Sequence, residues 1–281
     1  MIEIRNMYFA YKNKKVYNDI SLSFRPGYIY GLMGKNGTGK STLLRSICGL
    51  LFPDKGSINV SGFNPAERKP AFLREVFIVP EEFYLPDVSV QKYVRCNAPF
   101  YPAFDQAQFE NYLKEFEVPV GNTLQQMSYG QKKKVLIAFA LACNTSVLLM
   151  DEPTNGLDIL SKTQFRKVLA GAIDESKCII ISTHQVKDLE ALIDYVTIVD
   201  EGKILFDQSI DEVSSKLAFK FLQDKSSETN ILYEEQTLSG SVLVIPNDDN
   251  ESTKVDLELL YKTVITNPQM VRQIFNHSSK I

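Results

Sequence analysis

The first two hundred residues of the chain predict an α/β fold, and the residues after them predict a small α+β extension. Short apolar segments alternate with segments of helical periodicity, an order typical of α/β proteins. Several of these apolar segments are almost free of polar residues, as expected for strands covered on both faces of a sheet. The composition then changes after about residue 208. These three observations predict one large α/β domain followed by a small appendix.

Four apolar segments are the candidate strands of the main sheet. The segment YIYGLMG (28–34) is predicted to be a buried strand. The segments VFIVP (76–80), VLLMD (147–151) and CIIIS (178–182) are predicted to be central strands, because both of their faces are apolar.

Two further segments carry clear local signals. STLLRSICG (41–49) is predicted to be a helix, with its leucines on one face and Gly49 just after its end. DYVTIVDEGKILF (194–206) is predicted to be a hairpin that turns at Glu201 and Gly202.

A mostly helical region is expected between the second and third of these strands. Segment 89–118 is interrupted by Pro99 and Pro102, which favour breaks in the helix. Its large apolar side chains recur at helical spacing, which predicts that they pack in a core: Phe109, Leu113 and Phe116.

The C-terminal extension is expected to mix strands and helices. KLAFKFLQ (216–223) and SVLVIPN (241–247) are predicted strands, and a polar loop follows at 247–253. Segments 254–265 and 267–275 are predicted helices, the second with Asn at its N-cap and Pro at its first position. The extension could simply pack against the main domain, or it could stabilise a dimer or regulate activity.

Composition excludes several classes of protein. The chain has 281 residues, of which 44% are hydrophobic and 23% charged, as in an ordinary globular protein. Its formal net charge of −3 does not indicate a nucleic-acid-binding protein, so no nucleic-acid partner is expected. The four cysteines form no C-x-x-C pair and there are only two histidines, which argues against a structural zinc site and against a disulfide framework.

The chain is expected to be cytoplasmic. Its N-terminus has no apolar segment of signal-peptide length, and free cysteines suit a reducing compartment. The longest apolar run, VLIAFALAC (135–143), has nine residues, whereas a membrane span needs about 20.

The strongest chemical motif is GKNGTGKST (34–42), which lies between a predicted strand and a predicted helix. Its glycines allow backbone N–H groups to point at one phosphate site, next to the positive end of a helix dipole. Lys40 is expected to bind the β- and γ-phosphates, and Ser41 to bind Mg²⁺ with Thr42 in support. The residues predicted to hold the nucleotide are Gly34, Asn36, Gly37, Thr38, Gly39, Lys40, Ser41 and Thr42.

Two predicted strands end in further reactive side chains. Asp151 and Glu152 follow VLLM, and His184 follows CIIIST. Because ligands of α/β sheets collect at the carboxyl ends of the strands, these residues are expected near the phosphates. Asp151 is the predicted Mg²⁺ ligand, Glu152 the group that orients or deprotonates the attacking water, and His184 a ligand of the γ-phosphate.

Taken together, these motifs resemble those of the nucleotide-binding subunit of an ABC transporter. MSYGQ (127–131) is similar to the family's signature loop, DEPTNGLD (151–158) to the end of Walker B and the D-loop, and His184 to the switch histidine. Tyr11 matches the aromatic residue that stacks on adenine. The motifs occur in the family's order and span residues 1 to about 208.

The resemblance implies a P-loop NTPase fold of ABC type. This fold has a mixed-sheet core, an antiparallel β-subdomain and a helical subdomain, here expected at about residues 86–145. The ABC ATPase domain would cover residues 1–208, with the small C-terminal α+β extension at 209–281.

The resemblance also assigns roles in a dimer. Ser128, Gly130 and Gln131 match signature positions that contact the nucleotide held by the opposite subunit, and Asp158 matches the D-loop aspartate that communicates across the interface. Two ATP molecules would therefore lie between two nucleotide-binding subunits, either two copies of this chain or this chain and a paralogue.

The signature loop departs from the family pattern at two positions. Met127 replaces a leucine of similar volume, and Tyr129 replaces the first glycine, where close backbone approach is usual. The next three residues, Lys132, Lys133 and Lys134, open a predicted helix. They could form a solvated face, or they could bind the partner's phosphates or tune the signature loop.

The acidic pair Glu81–Glu82 falls on the Q-loop, where the family usually has a glutamine. Glu81 keeps an oxygen ligand but adds a negative charge. We therefore expect Glu81 to engage only when Mg²⁺ is present, and Glu82 to remain solvated.

The implied function is that of a Mg²⁺-dependent ATPase subunit that drives a separate membrane permease, with export as the expected direction. Such a subunit would be cytoplasmic and peripheral to the inner face of the cell membrane. The helical segment also resembles exporters of the ABC-2 type. The alternative is a soluble ABC ATPase that acts on a macromolecule, such as Fe–S assembly machinery. Intact Lys40, Asp151, Glu152 and His184 argue against a non-hydrolysing regulatory module.

Overall fold

Three β-sheets organise the part of the chain that the computed structural model describes, namely residues 1–12, 14–119, 121–222, 230–248 and 251–276. The strands are β1 (Ile2–Tyr11), β2 (Lys14–Phe24), β3 (Tyr28–Met33), β4 (Lys55–Val60), β5 (Val76–Val79), β6 (Val147–Asp151), β7 (Cys178–Thr183), β8 (Tyr195–Asp200), β9 (Lys203–Ser209), β10 (Leu217–Leu222), β11 (Tyr233–Thr237) and β12 (Gly240–Pro246).

The helices lie between and around these sheets. They are α1 (Lys40–Ile47), α2 (Pro70–Leu73), α3 (Val90–Asn97), α4 (Gln106–Glu115), α5 (Tyr129–Ala142), α6 (Ile159–Ala172), α7 (Ile210–Lys216), α8 (Leu257–Thr266) and α9 (Pro268–Asn276). Short 3₁₀ turns lie at Pro65–Glu67, Ala98–Phe100, Leu124–Gln126 and Val186–Asp188.

The main sheet has six strands in the order β5-β6-β7-β3-β8-β9. All neighbouring pairs are parallel except β8 and β9, which form an antiparallel hairpin. Asp200 pairs with Lys203 in this hairpin, so the predicted turn at Glu201 and Gly202 is confirmed. Every residue of β6 and β7 is buried, which explains why their sequences are apolar up to the polar residues Asp151, Ser182 and Thr183 at their carboxyl ends.

The prediction that VFIVP forms a central strand is wrong. It forms β5, which lies at the edge of the main sheet and, among the described strands, pairs only with β6. Helical side chains nevertheless cover its faces, and the Phe77 ring lies 5.3 Å from the ring of Tyr101 and 5.9 Å from that of Phe139. An apolar strand sequence indicates that the faces of the strand are covered by other side chains. It does not indicate how many strands pair with it.

A three-stranded antiparallel sheet with the order β2-β1-β4 packs on one side of the main sheet. Buried and exposed residues alternate along the second half of β2, as expected for a sheet with one face in the core and one in solvent. Its buried side chains join those of α1 and of strands β3, β6 and β7 in one apolar cluster.

The predicted helical region is present on the other side. Helices α3 and α4 flank the turn that contains Pro99 and Pro102, and α5 follows. The side chains of Phe109, Leu113 and Phe116 are buried, so their predicted core packing is confirmed. The outer boundaries of the helical subdomain, about 86 and 145, stay a prediction.

The C-terminal extension adds a third sheet with the order β10-β12-β11, together with α7, α8 and α9. Strand β11 was not anticipated, since its sequence YEEQT is polar and mostly half-buried or exposed. The predicted polar loop at 247–253 lies partly outside the described residues. Buried side chains of α8 and β12 belong to the same cluster as those of α5 and β7, so one continuous core joins the extension to the main sheet.

Candidate functional site

The carboxyl ends of three adjacent strands define the candidate site. Met33 at the end of β3 pairs with Thr183 of β7, and Asp151 at the end of β6 pairs with Ser182. The motif 34–42 follows β3, Glu152 follows Asp151, and His184 follows Thr183. The strand order β6-β7-β3 therefore brings three predicted groups of site residues to one edge of the sheet.

The motif 34–42 leads into the N-terminus of α1. Gly39 is the N-cap of this helix and has a φ of 108°. A Cβ on Gly39 would lie 2.7 Å from Val16 and 2.8 Å from Tyr17, so both the backbone conformation and the packing require glycine. No side chain caps α1, which leaves its first N–H groups available to an anionic ligand.

The side chain of Lys40 folds back over its own loop. It is 6% exposed, and its Nζ donates to the carbonyl oxygens of Gly34 at 2.8 Å and Lys35 at 3.2 Å. Burial lowers the pKa of Lys40, and the nearby carboxylates of Glu152, Asp151 and Glu81 oppose this decrease. Lys40 therefore holds a desolvated positive charge above the loop, close to three acids.

Glu152, Lys40 and His184 converge on one point. Glu152 is 3% exposed, and its Oε1 lies 2.9 Å from His184 Nδ1 and 3.8 Å from Lys40 Nζ. The backbone N–H of His184 donates to Oε2 of the same carboxylate at 3.3 Å. Within the described chain Oε1 accepts no well-aligned hydrogen bond. A buried carboxylate oxygen with spare accepting capacity is suited to hold a polar ligand such as a water molecule.

Asp151 is 2% exposed and accepts a short hydrogen bond from the hydroxyl of Ser182. Among the described residues no three acidic, histidine or cysteine side chains form a metal-binding group. Mg²⁺ usually takes one or two carboxylates together with phosphate oxygens and water. Oxygen donors of the kind that the Asp151 carboxylate and the Ser41 hydroxyl offer suit a Mg²⁺ ion that is carried by a nucleotide.

Tyr11 lies beside the first turn of α1. Its hydroxyl is 3.3 Å from the Thr42 hydroxyl, and its ring meets Phe9 edge to face at 4.9 Å. The residue remains 44% exposed, which leaves its ring accessible to a planar base. Asn36 and Gly37 are also exposed at the tip of the loop.

The signature residues have structural partners within the chain. Ser128 is the N-cap of α5 and accepts from the backbone N–H of Gln131 at 3.2 Å, while Gln131 Oε1 accepts from the backbone N–H of Ser128 at 2.9 Å. This is a capping box, and the S-x-x-Q spacing could have predicted it. Among the described residues no hydrogen bond links Ser128, Gly130 or Gln131 to the 34–42 loop.

Asp158 is the N-cap of α6. Its carboxylate accepts from the backbone N–H of Ser161 at 2.8 Å, and this hydrogen bond holds the pKa of Asp158 below its usual value. The part that Asp158 plays across a dimer interface stays a prediction.

Glu81 and Glu82 differ in burial and in contacts. Glu82 is exposed, whereas Glu81 is half-buried and its Oε1 accepts from the Asn155 side-chain N–H at 2.9 Å. The backbone carbonyl of Glu81 also accepts from the Tyr129 hydroxyl at 2.6 Å. Metal binding by Glu81 stays a prediction.

The lysines that follow the signature each bind a different part of the chain. Lys132 donates to Gln125, and Lys134 donates to the Phe116 carbonyl and to Gln164. Lys133 is 0% exposed, so the solvated-face alternative is wrong for this residue. It lies on the same helical face as Ile137 and Ala140, and this spacing is the signal that could have placed it inside.

Comparison with known proteins indicates the family of the chain. Residues 17–155 match the model of the ABC transporter family. The ABC transporter ATP-binding protein YtrB of Bacillus subtilis is 26% identical over 98% of this chain and 97% of its own length. The Nod factor export ATP-binding protein I of Burkholderia orbicola is 31% identical over 72% of this chain and 68% of its length. The bacitracin transport ATP-binding protein BcrA of Bacillus licheniformis is 28% identical over 82% of this chain and 76% of its own length.

Solved structures have the same fold. The structure of an ATP-binding subunit of an ABC transporter superposes with a TM-score of 0.69 at 26% identity, covering 76% of this chain and 91% of that one. The dimeric structure of a bacterial ABC transporter cassette superposes with a TM-score of 0.65 at 22% identity. The superposition covers 75% of this chain and 99% of that one. The predicted ABC-type fold is therefore confirmed. In the described residues no helix has both the length and the apolar character that a membrane crossing needs.

Proposed function

The chain belongs to the family of ABC transporter ATP-binding proteins, and we propose that it hydrolyses MgATP to drive a separate membrane permease in export. The observation that carries this proposal is the convergence of Lys40 and His184 on one oxygen of Glu152, at 3.8 Å and 2.9 Å. The family binds ATP and hydrolyses it. The permease, the metal and the direction of transport are the parts that we propose.

The proposed site binds the triphosphate through backbone and side chain together. The uncapped N-terminus of α1 and the amides of 34–39 would bind the phosphate oxygens. Lys40 would exchange its bonds to the Gly34 and Lys35 carbonyls for bonds to the β- and γ-phosphates. The exposed ring of Tyr11 would stack on adenine.

Ser41, Asp151 and Glu81 would hold the Mg²⁺ ion, which neutralises phosphate charge when it is bound. Glu152 would accept a hydrogen bond or a proton from the attacking water, because its Oε1 is buried and has no aligned donor in the described chain. His184, which already contacts this carboxylate, would bind the γ-phosphate and orient both groups.

A second nucleotide-binding subunit would complete the site. Ser128 is exposed, and Gly130 and Gln131 are half-buried, so the N-terminus of α5 can meet the nucleotide of an opposite subunit. Two bound ATP molecules would then favour the closed dimer, and hydrolysis would favour its opening. The partner in this proposal is either a second copy of this chain or a paralogue, and Asp158 would lie at the interface.

An apolar cleft beside the helical region is the proposed permease contact. It has a volume of about 650 Å³, and its walls include Leu50, Leu73 and Phe100, which are 50%, 36% and 68% exposed. Exposed apolar surface of this kind marks protein contacts. Docking there would place the chain at the inner face of the cell membrane, on its cytoplasmic side.

Several relatives support a role in export. The names of two of them include Nod factor export and SkfA peptide export. These relatives favour a transporter subunit over the alternative of Fe–S assembly. An integral membrane protein that co-purifies with the chain in detergent and raises its ATPase rate would identify the permease, while a purely soluble complex would contradict this part of the proposal.

The central test is the substitution Glu152→Gln. We expect this variant to bind ATP but to hydrolyse it about a thousandfold more slowly, because the amide keeps the shape of the side chain and loses the base. It should also accumulate an ATP-bound dimer, visible by light scattering. Glu82→Gln is the matched control, since Glu82 is exposed and near the same site. Unchanged turnover in Glu152→Gln would rule out its proposed role.

A further inference from the structure

A buried lysine lies directly beneath the turn that carries Glu152. Lys133 is on the first turns of α5, and its side chain is 0% exposed. Its Nζ donates to the backbone carbonyl oxygens of Glu152 at 2.7 Å and of Asn155 at 3.0 Å. The ion pairs of the described residues do not include Lys133, so these two carbonyls are its close partners. A buried ammonium group held by backbone carbonyls indicates a position under strong constraint.

The turn that Lys133 holds has an uncommon backbone conformation. Glu152 has a φ of 46°, in the left-handed region, and it precedes Pro153. The Glu152 carbonyl accepts a second hydrogen bond from the backbone N–H of Asn155 at 3.2 Å. Such a conformation persists only where the surroundings determine it. Lys133 contributes two of the hydrogen bonds that do so.

The same turn sets where the Glu152 carboxylate lies. The backbone N–H of Glu152 is held in place, because it donates to both the carbonyl oxygen and the hydroxyl of Ser182, at 3.1 Å and 3.2 Å. The N–H side of Glu152 is thus fixed by β7, and its carbonyl side is fixed by Lys133. A shift on the carbonyl side would rotate the side chain away from His184 and Lys40.

Nearby carboxylates favour the protonated, positively charged form of Lys133. Burial lowers the pKa of Lys133 to about 8, and the carboxylates of Glu81, Glu152 and Asp151 oppose the decrease. Nζ also lies over the ring of Tyr129, 5.7 Å from its centroid. Lys133 therefore carries a buried positive charge that interacts with the same three acids as Lys40.

We propose that Lys133 is a positioning residue for ATP hydrolysis, which holds the Glu152–Asn155 turn so that the Glu152 carboxylate stays beside His184 and Lys40. This inference rests on the proposed function, in which Glu152 acts on the attacking water. It also gives α5 a second task within its own subunit. The N-terminus of α5 would face the partner's nucleotide, and Lys133, one turn further on, would adjust the hydrolytic site of its own chain.

The test is the substitution Lys133→Met in the full chain. Methionine nearly keeps the volume and removes both hydrogen bonds. We expect kcat for MgATP to fall about 10- to 100-fold, as for a small displacement of a catalytic group, while the Kd for ADP changes less than about twofold. ADP binding is measured by isothermal titration calorimetry, because ADP reports the loop and α1 and does not involve the attacking water.

Lys134→Met is the matched control. It removes the same charge from the next residue of the same helix, and its bonds to Phe116 and Gln164 lie away from the turn. Its kcat should remain within about twofold of the wild type, because no contact to the Glu152–Asn155 turn is lost. An equal loss of kcat in both variants would show a general charge effect and overturn the proposal.

A double-mutant cycle separates positioning from simple stabilisation. If Lys133 acts through Glu152, Lys133→Met should add less than about a twofold loss in the Glu152→Gln background, because the group that it positions is already inactive. Single-turnover hydrolysis with excess enzyme measures these slow rates. If the fold-loss of kcat in the double variant equals the product of the losses in the two single variants, the proposal is overturned.

The remaining outcomes are also decisive. In Lys133→Gln the shorter side chain still carries a hydrogen-bond donor. Its kcat should therefore lie between those of the wild type and Lys133→Met. Loss of ADP binding together with a lower Tm in both variants would show a purely structural lysine and overturn the proposal. A wild-type chain that binds no ATP would instead contradict the proposed function, whereas an active wild type with a fully active Lys133→Met variant would contradict this inference alone.

Discussion

Glu81 joins two other loops through separate acceptors. Its side chain accepts from Asn155 at 2.9 Å, and its backbone carbonyl accepts from the Tyr129 hydroxyl at 2.6 Å. The Tyr129 ring also stacks on Phe83 at 5.2 Å. Tyr129 stands where the family usually has glycine, so this chain fastens its signature loop to its Q-loop with a contact that glycine cannot make. The Q-loop, the D-loop and the signature loop are thereby linked through single side chains.

The substitution Glu81→Gln tests the proposed metal contact at the residue scale. Glutamine can still accept from Asn155 but has no charge, so we expect the Mg²⁺ concentration for half-maximal ATPase to rise by about tenfold. Magnesium titrations at fixed ATP measure this shift. Glu82→Gln should leave the titration curve in place. Coincident curves for Glu81→Gln and the wild type would leave Glu81 as a structural acceptor only.

At the scale of the element, the ends of helices carry the proposed contacts between subunits. Ser128 caps α5 and Asp158 caps α6, and both side chains satisfy backbone N–H groups of their own helix. Ser89 caps α3 in the same manner, accepting from the Lys92 N–H at 3.2 Å, but belongs to none of the nucleotide motifs. Comparing Ser128 with Ser89 therefore separates the capping role of Ser128 from its proposed role toward a partner's nucleotide.

Ser128→Ala and Ser89→Ala should each lower the free energy of unfolding by about 1 kcal/mol, because each removes one N-cap hydrogen bond. Urea denaturation monitored by circular dichroism measures this loss. Only Ser128→Ala should also weaken ATP-dependent dimer formation, measured by light scattering in the Glu152→Gln background. Equal dimerisation in the two serine variants would limit Ser128 to its capping role.

At the scale of the whole molecule, the extension is packed into the main core. Leu257, Leu260 and Val264 of α8 are buried in the cluster that also contains α5 and β7 side chains. Ion pairs add contacts to the segment after His184: Lys187 lies 2.8 Å from Glu258, and Lys254 lies 2.7 Å from Glu190. Of the two alternatives for the extension, packing on the main domain is what these contacts support.

Leu260→Ala should therefore destabilise the entire chain and not only the extension. We expect a loss of about 2–5 kcal/mol in the free energy of unfolding, in one cooperative transition, because a cavity opens in the shared core. Leu238 is fully exposed on the β11–β12 hairpin, and Leu238→Ala should change stability by less than about 0.5 kcal/mol. Two separate transitions in the Leu260→Ala variant would show that the extension unfolds independently.

The sequence alone determined the features that depend on consecutive residues. The hairpin at Glu201–Gly202, the helix that ends before Gly49 and the strands that end at Asp151 and Thr183 follow from local backbone preferences and from apolar periodicity. The order of the nucleotide motifs was sufficient to indicate the family. The proposed roles of the site residues still rest on those motifs and on the geometry described above.

Only the tertiary structure decided which distant residues meet. It placed β5 at the edge of the sheet, added β11, buried Lys133 beneath Glu152 and tied Tyr129 to Glu81. Helical spacing could suggest that Lys133 faces inward, but not which carbonyls it would bind. The reason is physical. Local patterns report whether a face is covered, whereas the identity of the covering group depends on contacts between segments far apart in the chain, and a single sequence does not encode those in any short motif.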